Sequence, residues 1–130
     1  MADERNLMIK HILLVDDETT ILMAFKKLLQ GPGVEVDTAN TRESAQTALN
    51  QKNYDAVIAD LRLGESGGEE GLEILRFVKL RNPAVPTILI TAYGNPEVME
   101  KTYRMGADLY LEKPVSSNTL RDALRRLGVQ

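Results

Sequence analysis

The chain has no cysteine and no tryptophan, a single histidine and only two phenylalanines. Without thiols there can be no disulfide framework, no thiolate nucleophile and no cysteine-built metal centre, and the composition fits a reducing, cytoplasmic setting. The lone imidazole, His11, has no second histidine with which to hold a metal, so it reads as a structural or surface residue on the first strand. No apolar run approaches the length of a membrane span, and the mixed, charged residues 1–10 do not form a secretion signal. Neither sign of charge dominates: 16 Lys and Arg stand against 19 Asp and Glu, a net charge of -3. That balance gives no electrostatic footprint for nucleic acid. Repeats and low-complexity tracts are missing too, and only residues 1–8 read as a loose, flexible end.

What is present is a periodic alternation within 130 residues, a length that suits one domain. Residues 9–15 (IKHILLV) form a continuous apolar run, which suits a strand buried on both faces of a parallel sheet. Ile21, Leu22, Phe25, Leu28 and Leu29 recur at helical spacing until Gly31-Pro32-Gly33 stops them. Residues 34–39 give a second strand, and Asn40 with Glu43 predicts a capping box for a helix carrying Ala45, Ala48 and Leu49. Residues 56–59 form a third strand; Leu72, Leu75 and Val78 mark a third helix ending before Asn82-Pro83. Residues 86–91 (PTILIT) form a fourth strand, and Asn95-Pro96 reads as an N-cap with proline at the first helical position. That helix stops at Gly106; residues 109–111 form a fifth strand, and Ser116 or Ser117 caps a last helix ended by Gly128. Strand and helix alternate five times, which predicts an α/β doubly wound, five-stranded parallel sheet with helices on both faces.

In such sheets ligands bind beyond the carboxyl ends of the strands. The first strand ends in Asp16-Asp17-Glu18, the third at Asp60 and the fourth at Thr91-Ala92, and the fifth is followed by Lys113-Pro114. Carboxylates gathered at one edge repel each other unless a cation is present. Oxygen donors of this kind suit Mg²⁺, which binds through a few carboxylates and keeps waters that a phosphate can replace. Lys113 offers a point charge for a phosphate oxygen, and Thr91 a hydroxyl donor. An aspartate carboxylate can attack phosphorus to give an acyl phosphate.

The ordered set LLVDDE, VIAD, ILITA and GADLYLEKP resembles the receiver domain of two-component response regulators over nearly the whole chain, with 9–128 as the domain and 129–130 as its end. The resemblance implies a CheY-like, flavodoxin-like (βα)5 fold. It implies that Asp60 accepts a phosphoryl group from a sensor histidine kinase or phosphotransfer protein. Asp17 would bind Mg²⁺ directly, Asp16 partly through water, Asp60 through its carboxylate and Arg62 through its backbone carbonyl. Thr91 and Lys113 would contact the phosphoryl oxygens, across a cis Lys113-Pro114 bond. Tyr110 would be the switch aromatic, turning inward as Thr91 moves and so shifting the fourth helix, fifth strand and fifth helix. Such a domain promotes only its own phosphorylation and dephosphorylation. Its expected partners are the phosphodonor and an output domain or downstream protein outside this chain; a homodimer formed on phosphorylation is a further partner.

One segment departs from the family pattern. Gly64 stands where a proline is usual, the matching glycine is Gly71, and the loop over residues 64–70 carries an insertion. Other readings of the strand ends meet obstacles. Aspartate-nucleophile phosphatases carry a second aspartate two residues on, where this chain has Arg62. A flavodoxin-like cofactor binder needs a Ser/Thr/Gly-rich phosphate loop where this chain has Asp16-Asp17-Glu18. A receiver that signals without phosphorylation is a fourth reading, against which the retained Asp16, Asp17, Asp60, Thr91 and Lys113 weigh.

Overall fold

The computed structural model describes residues 9–63 and 69–129. The expected loose end at 1–8 and most of the 64–70 insertion lie outside the described residues. The elements run β1 (Lys10–Val15), α1 (Thr19–Leu29), β2 (Val34–Ala39), α2 (Arg42–Gln51), β3 (Ala56–Asp60) and α3 (Glu70–Arg81). They continue as β4 (Thr87–Thr91), α4 (Pro96–Arg104), β5 (Leu109–Glu112) and α5 (Ser117–Arg126). The strands form one sheet in the order β2-β1-β3-β4-β5, and every neighbouring pair is parallel.

The pattern of the sequence explains the layers. Successive strand side chains point to opposite faces. Leu13, Val15, Val57, Ala59 and Leu89 therefore meet α2 and α3 through Ala45, Leu49, Leu72, Leu75 and Val78. Ile12, Leu14, Ile58, Ile88 and Ile90 meet α1 and α5 through Leu22, Leu29, Leu120 and Leu124. β3 and β4 are buried along their whole length, whereas the edge strand β2 mixes buried and exposed positions.

Most predicted helix ends hold. The Asn95 side chain accepts from Val98 N at 2.9 Å with Pro96 behind it, and Ser116 rather than Ser117 caps α5. The start of α2 differs. Thr41, not Asn40, is the N-cap: its hydroxyl accepts from Ser44 N at 3.0 Å, and Thr41 N donates to the Ser44 hydroxyl at 3.1 Å. The chain stays extended through Thr41, so the hydroxyl pair one residue along closes the box in place of Asn40 and Glu43.

The amino ends of β4 and β5 are tied together by one side chain. Lys79 on α3, largely buried, donates from Nζ to the Val85 carbonyl at 2.7 Å and to Asp108 Oδ2 at 3.0 Å. The same Asp108 oxygen accepts from Thr87 N at 2.8 Å. The lysine stem runs beneath Gly106, whose φ of 107° ends α4 in a conformation that favours glycine.

Candidate functional site

Parallel register brings the strand ends to one edge. Asp60 stands beside Ile90 and Thr91 beside Glu112. The ladders continue past the strands: Asp16 N donates to the Ala39 carbonyl, Leu61 N to Ile90 and Lys113 N to Thr91. Asp16, Asp60, Thr91 and Lys113 are thus held by sheet-quality backbone rather than by free loops. Asp16, Asp60 and Thr91 are 6 %, 7 % and 0 % exposed, whereas Asp17 is exposed.

Lys113 joins two of the carboxylates. Its Nζ lies 2.9 Å from Asp16 Oδ2 and 2.9 Å from Asp60 Oδ2, and 3.6 Å from Glu18 Oε1. The other oxygens of the two aspartates are held by backbone: Asp16 Oδ1 accepts from Glu18 N at 2.9 Å, and Asp60 Oδ1 from Arg62 N at 3.1 Å. Burial pushes both carboxyls above the ordinary aspartate value, and the bonds from Lys113 and the backbone offset only part of that. Burial opposes the charge on Lys113 as well, but Asp60 and Asp16 outweigh it and hold the ammonium above its usual range. Two buried anions share one cation, so the edge keeps an unbalanced negative charge.

The residues present fit a hard divalent cation. Asp16, Asp17 and Glu18 bring one carboxylate oxygen each to within 4.8 Å of one another. Asp60 reaches this group through Lys113. Glu18 was not among the ligand candidates expected from sequence, although its place in the acidic run was the available signal. An open groove leads from Lys113 along α1, lined by Ile21, Ala24, Phe25, Pro114 and Val115.

The remaining expected residues cluster on the α4 side. The Thr91 hydroxyl accepts from Tyr93 N at 3.1 Å. The Arg62 guanidinium lies 4.9 Å from the centre of the Tyr93 ring, a contact between two loops that no sequence pattern signals. Tyr110 is 8 % exposed and its ring already points inward. Its backbone N–H donates to the Tyr103 hydroxyl at 3.1 Å. The Lys113-Pro114 bond is cis. Gly71 packs directly on the Asp60–Leu61 backbone, a close approach that sequence spacing could align but not reveal.

A doubly wound five-stranded sheet with acids and a lysine at its carboxyl edge defines a CheY-like domain. Within that class, the chain belongs to the response regulator receiver domain family, whose model matches residues 12–125. It is 37 % identical over 110 residues to the alginate biosynthesis transcriptional regulatory protein AlgB of Pseudomonas putida, covering 85 % of this chain and 24 % of that protein. It is 32 % identical over 115 residues to the transcriptional regulatory protein ZraR of Escherichia coli K12, covering 88 % of this chain and 25 % of that one. The chain therefore spans about a quarter of the length of these relatives. Among solved structures, a CheY-like response regulator receiver domain protein from Methanospirillum hungatei superposes with a TM-score of 0.84 at 29 % identity, covering 92 % of this chain and 94 % of that one. This is a signalling family of two-component systems, and its members generally bind Mg²⁺ at an acidic pocket. No helix among the described residues is long and apolar enough to cross a membrane.

Proposed function

We propose that residues 9–128 act as a phosphorylation switch in which Asp60 is the acceptor. The observation that carries this reading is Lys113 Nζ at 2.9 Å from both Asp16 and Asp60, at the same sheet edge as the buried Thr91. An oxygen of the Asp60 carboxylate attacks the phosphorus of a phosphohistidine on a sensor kinase or phosphotransfer protein. The O–P bond forms, the P–N bond breaks, and its electron pair leaves on the donor's ring nitrogen. Asp16, Asp17, the Asp60 carboxylate and the Arg62 carbonyl would hold Mg²⁺. That ion supplies charge neutralisation for the transferring oxygens. Lys113 moves its contact from the free carboxylate to a phosphoryl oxygen, and Thr91 donates its hydroxyl to another. The donor docks along the α1 groove, which Glu18 and Lys113 share with the site.

The result is a change of state, not turnover of an outside substrate. Thr91, Tyr110 and α4 pass it to the far face, in the cytoplasm, where an output region or downstream protein reads it. The greater length of the transcriptional regulators it resembles supports such an output region. Incubation with acetyl phosphate and Mg²⁺ should add one alkali-labile phosphoryl group, seen by mass spectrometry. Asp60→Asn should add none, and undiminished labelling in that variant overturns the assignment.

A further inference from the structure

Gly94 lies in the turn between Thr91 and α4. A Cβ built on it would stand 1.7 Å from the Tyr110 hydroxyl oxygen, 2.9 Å from Tyr110 Cζ and 3.1 Å from Glu112 Oε1. The end of the Tyr110 ring therefore fills the space that a side chain at position 94 would occupy. The hydroxyl is buried and makes no hydrogen bond of good geometry among the described residues, although the Asn95 backbone lies close enough to act on it. Shape, more than bonding, admits the ring.

A side chain at position 94 would force one of three parts to give way. The strand beneath the ring is anchored, since Tyr110 N donates to the Tyr103 hydroxyl and β5 pairs with β4. The turn is anchored too. Thr91 Oγ1 holds Tyr93 N at 3.1 Å, and Asn95 Oδ1 holds Val98 N at 2.9 Å. The ring swings on two single bonds at the open edge of the sheet, so it is the part that gives way.

We infer that Gly94 is a positioning residue for Tyr110: the missing side chain opens the inward pocket, and any side chain at 94 holds the ring out on the α4–β5 face whatever the state of Asp60. This rests on the reading of Thr91 and Tyr110 as a coupling pair. It adds that the inward pose is licensed at a third residue, by the space left open there.

The test uses the full chain with isotope-labelled aromatic rings and no phosphodonor. In the wild type, the Tyr110 ring should show nuclear Overhauser contacts to the Gly94 α-protons. In Gly94→Ala those contacts should vanish and the ring should become solvent-accessible, while the core signals of Ile58 and Leu89 stay in place. Tyr110→Phe should keep the inward contacts, because the space at Gly94 stays open to the ring. Gly94→Ala/Tyr110→Phe should regain them in part, since the atom at 1.7 Å is gone and only Cζ at 2.9 Å must yield. If Gly94→Ala keeps an inward ring while the amides of residues 92–96 move, the turn gives way instead and the proposal is overturned. If Gly94→Ala destabilises the chain, Gly94→Ala/Tyr110→Ala should lose most of that effect in urea unfolding; no relief overturns the proposal equally. Labelling of Asp60 by acetyl phosphate, measured separately by mass, reports on the phosphorylation reading alone, so the two can fail independently.

Discussion

Gly71 lies against the backbone of Asp60, so closely that a Cβ there would be 2.3 Å from the Asp60 carbonyl oxygen and 2.6 Å from Leu61 Cα. Gly71 N also donates to the Leu61 carbonyl at 2.9 Å. The first turn of α3 is thereby seated against the end of β3, on the far side of the insertion.

Gly71→Ala sets a small gain against a larger loss. Alanine improves helix propensity by at most about 1 kcal/mol, whereas forcing atoms into packed backbone costs about 1–3 kcal/mol or more. The variant should be less stable in urea and should label more slowly with acetyl phosphate, because the Asp60 backbone must move. Equal stability and equal labelling would remove the seating role.

Asp17→Asn tests the acidic cluster. Outer groups that merely orient a metal ligand are worth about tenfold or more in affinity, so loss of a direct carboxylate should weaken Mg²⁺ binding by at least about tenfold. Calorimetric titration giving unchanged Mg²⁺ affinity contradicts the assignment.

Thr91→Ala separates acceptance from response. It removes one hydrogen bond to the transferring group, so labelling should slow by no more than about tenfold. The changes in α4 that follow labelling of the wild type should be lost. Nuclear magnetic resonance spectra showing the same α4 changes in both proteins would defeat the coupling.

Acid stability has a component far from the site. Burial raises the pKa of Asp37, but bonds from the Tyr54 hydroxyl at 2.7 Å and Lys52 Nζ at 3.0 Å outweigh it and hold the carboxyl below its ordinary value. A lowered folded-state value stabilises the fold above the unfolded value of about 3.9, and the contribution disappears as pH falls through the folded value. Tyr54→Phe removes one of those bonds. The stability gap between wild type and variant should be about 1 kcal/mol near neutrality and should shrink in acid. A gap that stays constant down to about pH 2 would show that Asp37 is not its source.

The residues that were legible from sequence share a cause. Asp16, Asp60, Thr91 and Lys113 lie at the ends of apolar runs, and a parallel sheet aligns such ends without further information. Asn95 and Ser116 were legible because a cap is a local bond within four residues. Thr41 was misread by one position, since the choice between adjacent polar residues depends on which backbone remains extended. The steric demands at Gly71 and Gly94 and the Arg62–Tyr93 contact arise where separate segments meet, so no local pattern encodes them. The part of the insertion over residues 64–68 lies outside the described residues.

The restraints on α4 are unevenly spread along it. Thr102 is fully buried, the Tyr103 hydroxyl takes the Tyr110 amide, and Gly106 turns over the stem of Lys79, itself bonded to Val85 and Asp108. Among the described residues the first turn is held only by its own cap, Asn95 Oδ1 on Val98 N, and by Val98 against the core, while Pro96, Glu97 and Met99 are exposed. On the switch proposed above, the helix would pivot as a lever with its fulcrum at the Gly106 end, and a partner gripping the first turn would receive the larger stroke. Amide shift changes on treatment with acetyl phosphate should accordingly decline from Glu97 towards Arg104; a uniform change would describe a sliding helix instead.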